Sequence, residues 1–251
     1  MSLSGQASLA GRASLSGRVI LVTGAHGGLG SAAARACARA GATTILLGRK
    51  VRLLERLHDS IEAQAEKPIS PVLYPLDLEG ASPDDFADLA ERIGEEYGRL
   101  DGLLHCTAEF RGLTPLEHTD PAVFARAMHV NLTAPWWLTQ ACLPQLKKAK
   151  DGAVVFVVDD LERVSRPFWG GYGLAEHGLS ALVGMLHGEM VNSPVRIAGL
   201  QPGPMRTGLR AKAFVDDQDR DARDPALAAQ ACVELLSEAG AEWRGTIRTL
   251  E

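Results

Sequence analysis

The segment with the clearest chemical potential is Thr23-Gly24-Ala25-His26-Gly27-Gly28-Leu29-Gly30. Without side chains at its glycines, such a loop turns tightly and brings a pyrophosphate against backbone N–H groups and the positive N-terminus of a following helix. A glycine cluster has that meaning only between a strand and a helix. Here it follows the aliphatic run Val19 to Val22 and precedes the alanine-rich stretch Gly30 to Ala40, so nucleotide binding is the expectation and a purely structural turn the alternative. The four cysteines, Cys37, Cys106, Cys142 and Cys232, are scattered, with no CxxC and no histidine at ligand spacing. They read as reduced thiols and not as a metal site.

The elements that must hold this loop alternate between two periods. Short β-branched or aliphatic runs occur at Val19 to Val22, Thr43 to Leu47, Val72 to Leu76, Gly102 to His105, Val154 to Val158 and Ile197 to Leu200, each of strand length. Between them lie helical stretches, in one of which Leu53, Leu54, Leu57 and Ile61 recur at helical spacing with charges on the other face. Nearly continuous apolar strands separated by helices predict an α/β fold of Rossmann type, a doubly wound parallel sheet covered on both faces. Ala226 to Glu238 reads as a further helix and Gly245 to Leu250 as a short last strand.

No linker divides residues 18–251, which are expected to form a single domain. Residues 1–17 read as a flexible leader carrying three hexads, SLSGQA, SLAGRA and SLSGRV, the last running into Val19. Three such short copies cannot stack as a solenoid, and Ser/Gly-rich sequence is cheaply left flexible. An arm that straps a dimer is the alternative.

With 46% hydrophobic and 23% charged residues, the 251-residue chain can bury a core, which argues against disorder. Its net charge of −5 argues against nucleic acid as the main partner. No apolar run reaches the roughly 18 to 20 residues that span a bilayer, so no membrane insertion is expected. The first residues lack a basic start and an apolar segment, which makes the cytoplasm the expected compartment.

The glycine spacing is GxxxGxG, and with it the chain resembles the short-chain dehydrogenase/reductase family over Arg18 to about Thr207. The landmarks run in order: the TGAHGGLG loop, Leu76-Asp77-Leu78, Leu100 to Leu104, Asn131, a fifth strand, Tyr172, and Gln201 to Thr207. Trp169-Gly170-Gly171-Tyr172 further resembles a bacterial branch with WGxYxxSK around its tyrosine. The resemblance implies that Gly24, Gly28, Leu29 and Gly30 hold a pyrophosphate and that Asp77 and Leu78 hold the adenine. It also places Thr23, His26, Cys106, Thr107, Ala108, Pro202, Gly203 and Thr207 in the cofactor set. The family's acidic residue after the second strand, which selects NAD, is replaced by Gly48-Arg49-Lys50. An arginine can pair with a 2′-phosphate, so NADP is favoured with NAD possible, unless Arg49 is a solvated helix-start charge.

The same resemblance implies a tetrad of Asn, Ser, Tyr and Lys around a carbonyl or alcohol substrate. Asn131 and Tyr172 stand in place. Glu176 occupies the lysine position four residues after Tyr172, and Asp159 the serine position thirteen residues before it. One unit charge about 5 Å from a phenol, at an effective dielectric of about 20, is worth roughly 3 kcal/mol or about 2 pK units. Exchanging a cation for an anion doubles that, so Tyr172 is expected to stay neutral and to fail as a base. A protonated Asp159 would replace the serine, an ionised one would repel the growing oxyanion, and the two acids would share a proton in a third arrangement. Alternatively both are ordinary solvated charges in an open cleft.

Three further residues or groups carry paired readings. His177 is either a replacement acid/base group or a bystander turned roughly 100° from Glu176 along the helix. Cys106 is either a small strand-end residue or a reactive thiol. Trp136 and Trp137 are expected at a core or subunit contact, and Phe168 and Trp169 around the cleft. Phe214 to Asp221 occupies the place of the family's substrate lid, and the helical segments Val123 to Leu146 and Leu174 to Met190 imply, by resemblance, a homodimer or homotetramer. Two functions follow: an NADP-dependent carbonyl reductase with an altered site, or a catalytically silent relative that binds nucleotide or a partner.

Overall fold

The computed structural model describes residues 13–64, 70–214 and 222–250. Its strands are β1 (Val19–Thr23), β2 (Thr43–Gly48), β3 (Val72–Pro75), β4 (Gly102–His105), β5 (Gly152–Val157), β6 (Val195–Gln201) and β7 (Ile247–Thr249). They form one sheet in the order β3-β2-β1-β4-β5-β6-β7, and every neighbouring pair is parallel. The predicted strands are all present, each within a few residues of its expected bounds.

Strand periodicity splits the core in two. Ile20, Val22, Leu46, Leu104, Val155 and Leu200 point to one face, while Leu21, Ile45, Leu47, Leu103, Val154 and Phe156 point to the other. The first face is covered by α1 (Gly28–Arg39) and α2 (Val51–Glu62), whose apolar residues include Ala33, Cys37, Leu54 and Leu57. The second is covered by α3 (Pro83–Tyr97) through Phe86, Leu89 and Ile93. A capping box between Ser82 and Asp85 starts α3, and Gly98, at φ 75°, ends it in the left-handed region that favours glycine.

After β4, α4 (Pro121–Met128) passes through a π turn at His129–Thr133 into α5 (Ala134–Leu146). Asn131 sits in that wide turn. A single-turn helix, α6 (Leu161–Val164), follows β5, then the long α7 (Gly170–Glu189), and α8 (Pro225–Leu236) completes the first face. The order reverses between β1 and β4, so their C-terminal ends open a crevice at a topological switch point.

The folded part begins earlier than the sequence suggests. Leu15 is 0% exposed, packs in the first core and donates its N–H to Ala40 O at 2.9 Å. A leucine in the third hexad is therefore an anchor, which corrects the flexible reading for residues 13–17. Residues 1–12 lie outside the described residues, as does most of the expected lid, residues 215–221.

Candidate active site

The crevice holds a cleft of about 510 Å³ lined by the glycine loop, the ends of β2, β4 and β5, and the segment after β6. The loop's glycines are required by contact as well as by conformation. Gly24 has φ 61°, and a Cβ there would lie 2.9 Å from the Thr107 backbone. A Cβ on Gly30 would stand 2.2 Å from Gly24 O. The start of α1 has no side-chain cap and no acidic residue in its first turn. Its first N–H groups are thus left for an anion. That vacancy of side chains, together with the unpartnered buried hydroxyl of Thr107 on the cleft wall, fits a dinucleotide phosphate and ribose.

His26, Gly28, Leu29, Arg49, Asp77, Leu78, Cys106, Thr107, Ala108, Pro202, Gly203 and Thr207 all line this cleft, as the family pattern implies. Thr23 does not. It is fully buried, and its hydroxyl accepts from the N–H groups of Cys106 and Thr107 at 3.1 and 3.3 Å, tying β1 to the end of β4. Gly30 likewise acts from behind the wall. At the end of the cleft beside β2, His26, Arg49 and Lys50 converge. His26 keeps an unpartnered buried Nδ1, and its pKa is lowered by burial and then by the charges of Lys50 and Arg49. Arg49 is not a simple helix-start charge, because its guanidinium lies 3.7, 3.8 and 3.7 Å from Asp77, Glu79 and Glu109.

At the other end, Tyr172 and Glu176 lie one turn apart on α7, each 4% exposed, and Asp159 follows β5. The Tyr172 hydroxyl donates to Asp159 Oδ2 at 2.9 Å. Asp159 Oδ1 accepts from the Asp160 N–H at 2.6 Å and from the Arg163 guanidinium. Glu176 Oε2 accepts the Asp159 N–H at 2.8 Å. Tyr172 and Glu176 are buried, Asp159 is partly buried, and the three are mutually bonded, which corrects the reading of Asp159 and Glu176 as solvated charges. Burial pushes the Glu176 carboxyl up to about 8, against a lowering by the Asp159 N–H it accepts and with a smaller raising by the Asp159 charge. The protonated form of the acid in the lysine position is thus favoured, where the sequence implied an extra anion. Burial, then Glu176 and Asp159, hold the Tyr172 phenol well above its ordinary value, against a lowering by Arg163.

Asn131 is brought near without facing the cleft. Its side chain accepts from Glu109 N–H at 2.7 Å and donates to Glu109 O and Ala127 O at 2.8 Å each, bracing the loop after β4. His177 is exposed and bonds Gly173 O and Ser165, so it is no replacement acid/base group. Burial raises the Cys106 thiol, which removes the reactive reading. Trp169 packs with Phe110, Tyr172 and Phe214, whereas Phe168 is half exposed and so departs from its expected place. Trp137 packs on the second core, while Trp136 lies exposed.

Arg163, Phe110 and Lys212, all on the cleft wall, were not singled out in the sequence, whereas Phe214, the first residue of the expected lid, also lines it. Arg163 was detectable as the (i, i+4) partner of Asp159, but only once a helical turn is granted between them. Asp160 caps that turn, accepting from Glu162 and Arg163 N–H. Among the described residues, no cluster of three or more histidine, cysteine or acidic side chains is placed to hold a metal, and no helix is long and apolar enough to cross a membrane.

The sheet order, the glycine loop and the tyrosine at the cleft define an oxidoreductase of the short chain dehydrogenase family, and the chain belongs to it: the family profile matches residues 18–218. Among individual relatives, it is 35% identical over 208 residues to the uncharacterized oxidoreductase YciK of Escherichia coli K12, covering 83% of this chain and 81% of that one. A short chain dehydrogenase of Shigella flexneri 2a, solved in complex with NADP, is 32% identical with a TM-score of 0.89, covering 95% of this chain and 98% of that one. Its counterpart from Escherichia coli CFT073, in complex with NADPH, is 33% identical with the same TM-score and the same coverage.

Proposed function

We propose that the chain is an NADPH-dependent reductase of a small molecule with a polarised double bond, a carbonyl compound by family resemblance, with Tyr172 as proton donor. The observation that carries this reading is the state of the phenol. Buried at the cleft and held well above its ordinary pKa, Tyr172 keeps its proton at working pH and can give one but not take one. Oxidation needs a base at this position, whereas reduction needs an acid.

NADPH supplies the hydride when bound. The uncapped start of α1 takes its pyrophosphate, and His26, Arg49 and Lys50 take its 2′-phosphate. Asp159 stands for the family serine and Glu176 for its lysine, so the tetrad is altered at two of four positions. Asp159, fixed by Arg163, orients the Tyr172 hydroxyl, while neutral Glu176 bonds the Asp159 backbone. The exposed Leu174, Met185 and Trp136 on α7 and α5 support assembly as a homodimer or homotetramer, and light scattering that finds only monomer would overturn that part.

Titration with NADPH and NADH, followed by tryptophan fluorescence and calorimetry, tests the cofactor. Tighter NADPH binding is expected, and failure to bind either nucleotide refutes the reading. NADPH oxidation in the presence of carbonyl compounds, lost in Tyr172→Phe, tests the chemistry. A second reading, a silent nucleotide- or partner-binding relative, is favoured by one observation: the Tyr172 proton is already engaged by Asp159. Nucleotide binding without turnover selects it.

A further inference from the structure

The electrophile that fits beside Tyr172 is decided by Asp159. Its Oδ1 is taken by the Asp160 N–H and the Arg163 guanidinium. Its Oδ2 accepts a single bond, from Tyr172 at 2.9 Å, and so keeps acceptor capacity beside the hydroxyl. A carbonyl oxygen approaching Tyr172 meets a second acceptor that has no proton to share, and the negative charge growing on it faces a carboxylate. A group that carries its own N–H meets the opposite situation. It donates to Oδ2, and its positive charge vanishes as hydride arrives.

The walls favour the same ligand independently. Phe110, Trp169, Tyr172 and Phe214 form a cluster of rings with centroids 5.1 to 6.4 Å apart. Aromatic faces attract cations, and Arg210 already lies over Phe214 at 4.3 Å. The cations nearby are engaged: Arg163 on Asp159, Lys212 on Phe110 O at 2.7 Å and Arg210 on that ring. Glu176 occupies the position where the family pattern has a lysine that would repel a cationic substrate.

We infer that the site reduces protonated imines bearing an apolar substituent, in preference to the matching ketones. Hydride from NADPH forms the new C–H bond at the C=N carbon, the π pair moves onto nitrogen, and the N–H proton stays in place. The products are a neutral amine and NADP+, with no further proton required. This inference rests on the NADPH-dependent hydride transfer of the reductase reading and narrows its substrate; with a protonated imine Tyr172 gives no proton and serves to position Asp159.

The test compares 2-phenyl-1-pyrroline with butyrophenone as substrates of the full chain, alongside calorimetry with NADPH and with 2-phenylpyrrolidinium, the conjugate acid of the product amine. In the wild type, kcat/KM for the imine is expected to exceed that for the ketone by about tenfold or more, the scale of a lost or gained hydrogen bond to a charged group. Asp159→Ser should reverse the preference, and Asp159→Asn should weaken 2-phenylpyrrolidinium binding about tenfold, with Tm and NADPH affinity preserved. A wild type that prefers butyrophenone, or binds NADPH yet leaves the imine unreduced, overturns the inference. So does an imine rate unmoved by Asp159→Ser. Ketone preference leaves the reductase reading standing, whereas absence of NADPH binding removes both.

Discussion

The hydroxyl of Tyr172 lies 2.9 Å from Oδ2 of Asp159, and the other oxygen of that aspartate is held by Arg163. The reacting phenol is thus aimed by a carboxylate which is itself aimed by a guanidinium from one turn of helix. Tyr172→Phe removes the phenolic proton at the cleft and should lower turnover of carbonyl compounds by about 10²- to 10⁴-fold. NADPH affinity should remain, because the ring stays packed between Phe110 and Trp169. Turnover equal to wild type would exclude Tyr172 as the donor.

Glu176 makes stability depend on pH with an unusual sign. Its carboxyl, raised from 4.5 to about 8, binds a proton in the folded state that the unfolded chain releases. Between these values the native protein holds more protons than the unfolded chain, so this group costs up to about 1.4 kcal/mol per pH unit as pH rises. Glu176→Gln keeps an acceptor for the Asp159 N–H and removes the titration. Its Tm relative to wild type should increase from about pH 5 to about pH 8. A constant difference across that window would show that Glu176 is already ionised.

Arg49 contributes to recognition more than to folding. Its three carboxylate partners lie at 3.7 to 3.8 Å, and its side chain is 42% exposed, a setting in which ion pairs add about 0 to 1 kcal/mol. Arg49→Ala should leave Tm nearly unchanged and weaken NADPH by about tenfold or more, the scale of a charge-assisted bond, with little effect on NADH. Equal losses for both nucleotides would remove Arg49 from the 2′-phosphate site.

Two substitutions separate the phosphate loop from the rest of the fold. Gly30→Ala places a methyl group 2.2 Å from Gly24 O, so nucleotide binding should disappear with a partial fall in Tm. Leu15→Ala empties a fully buried site at the opposite edge of α1 and should cost about 2 to 5 kcal/mol with nucleotide affinity retained. Denaturant titration and calorimetry on both variants distinguish the two effects.

The parallel sheet was legible because aliphatic runs such as Val154 to Val158 have strand length and little else fits them. The phosphate loop was legible because no other residue type tolerates the approach of Gly24 to Thr107. Positions 159 and 176 were also readable as altered. Their charge states were not, since a carboxyl is ionised or neutral according to burial and partners that spacing does not contain. Arg163 escaped notice because its place depends on a four-residue helix capped by Asp160, and the role of Leu15 because a single apolar residue amid Ser and Gly carries no period.

The π turn at His129–Thr133 sets the angular phase of everything that follows it. An ordinary α turn advances about 100° per residue, and the wider turn absorbs one residue more over the same rise. That surplus is what lets α4 continue into α5 with Leu138, Cys142 and Leu146 still directed at the sheet. Asn131, released from strict helical geometry, meanwhile bridges Ala127 to Glu109. Length is therefore buffered here: deleting one position between 129 and 133 would remove the surplus residue that the wide turn absorbs and leave α5 in phase as a regular helix, while withdrawing the geometry by which Asn131 reaches Glu109.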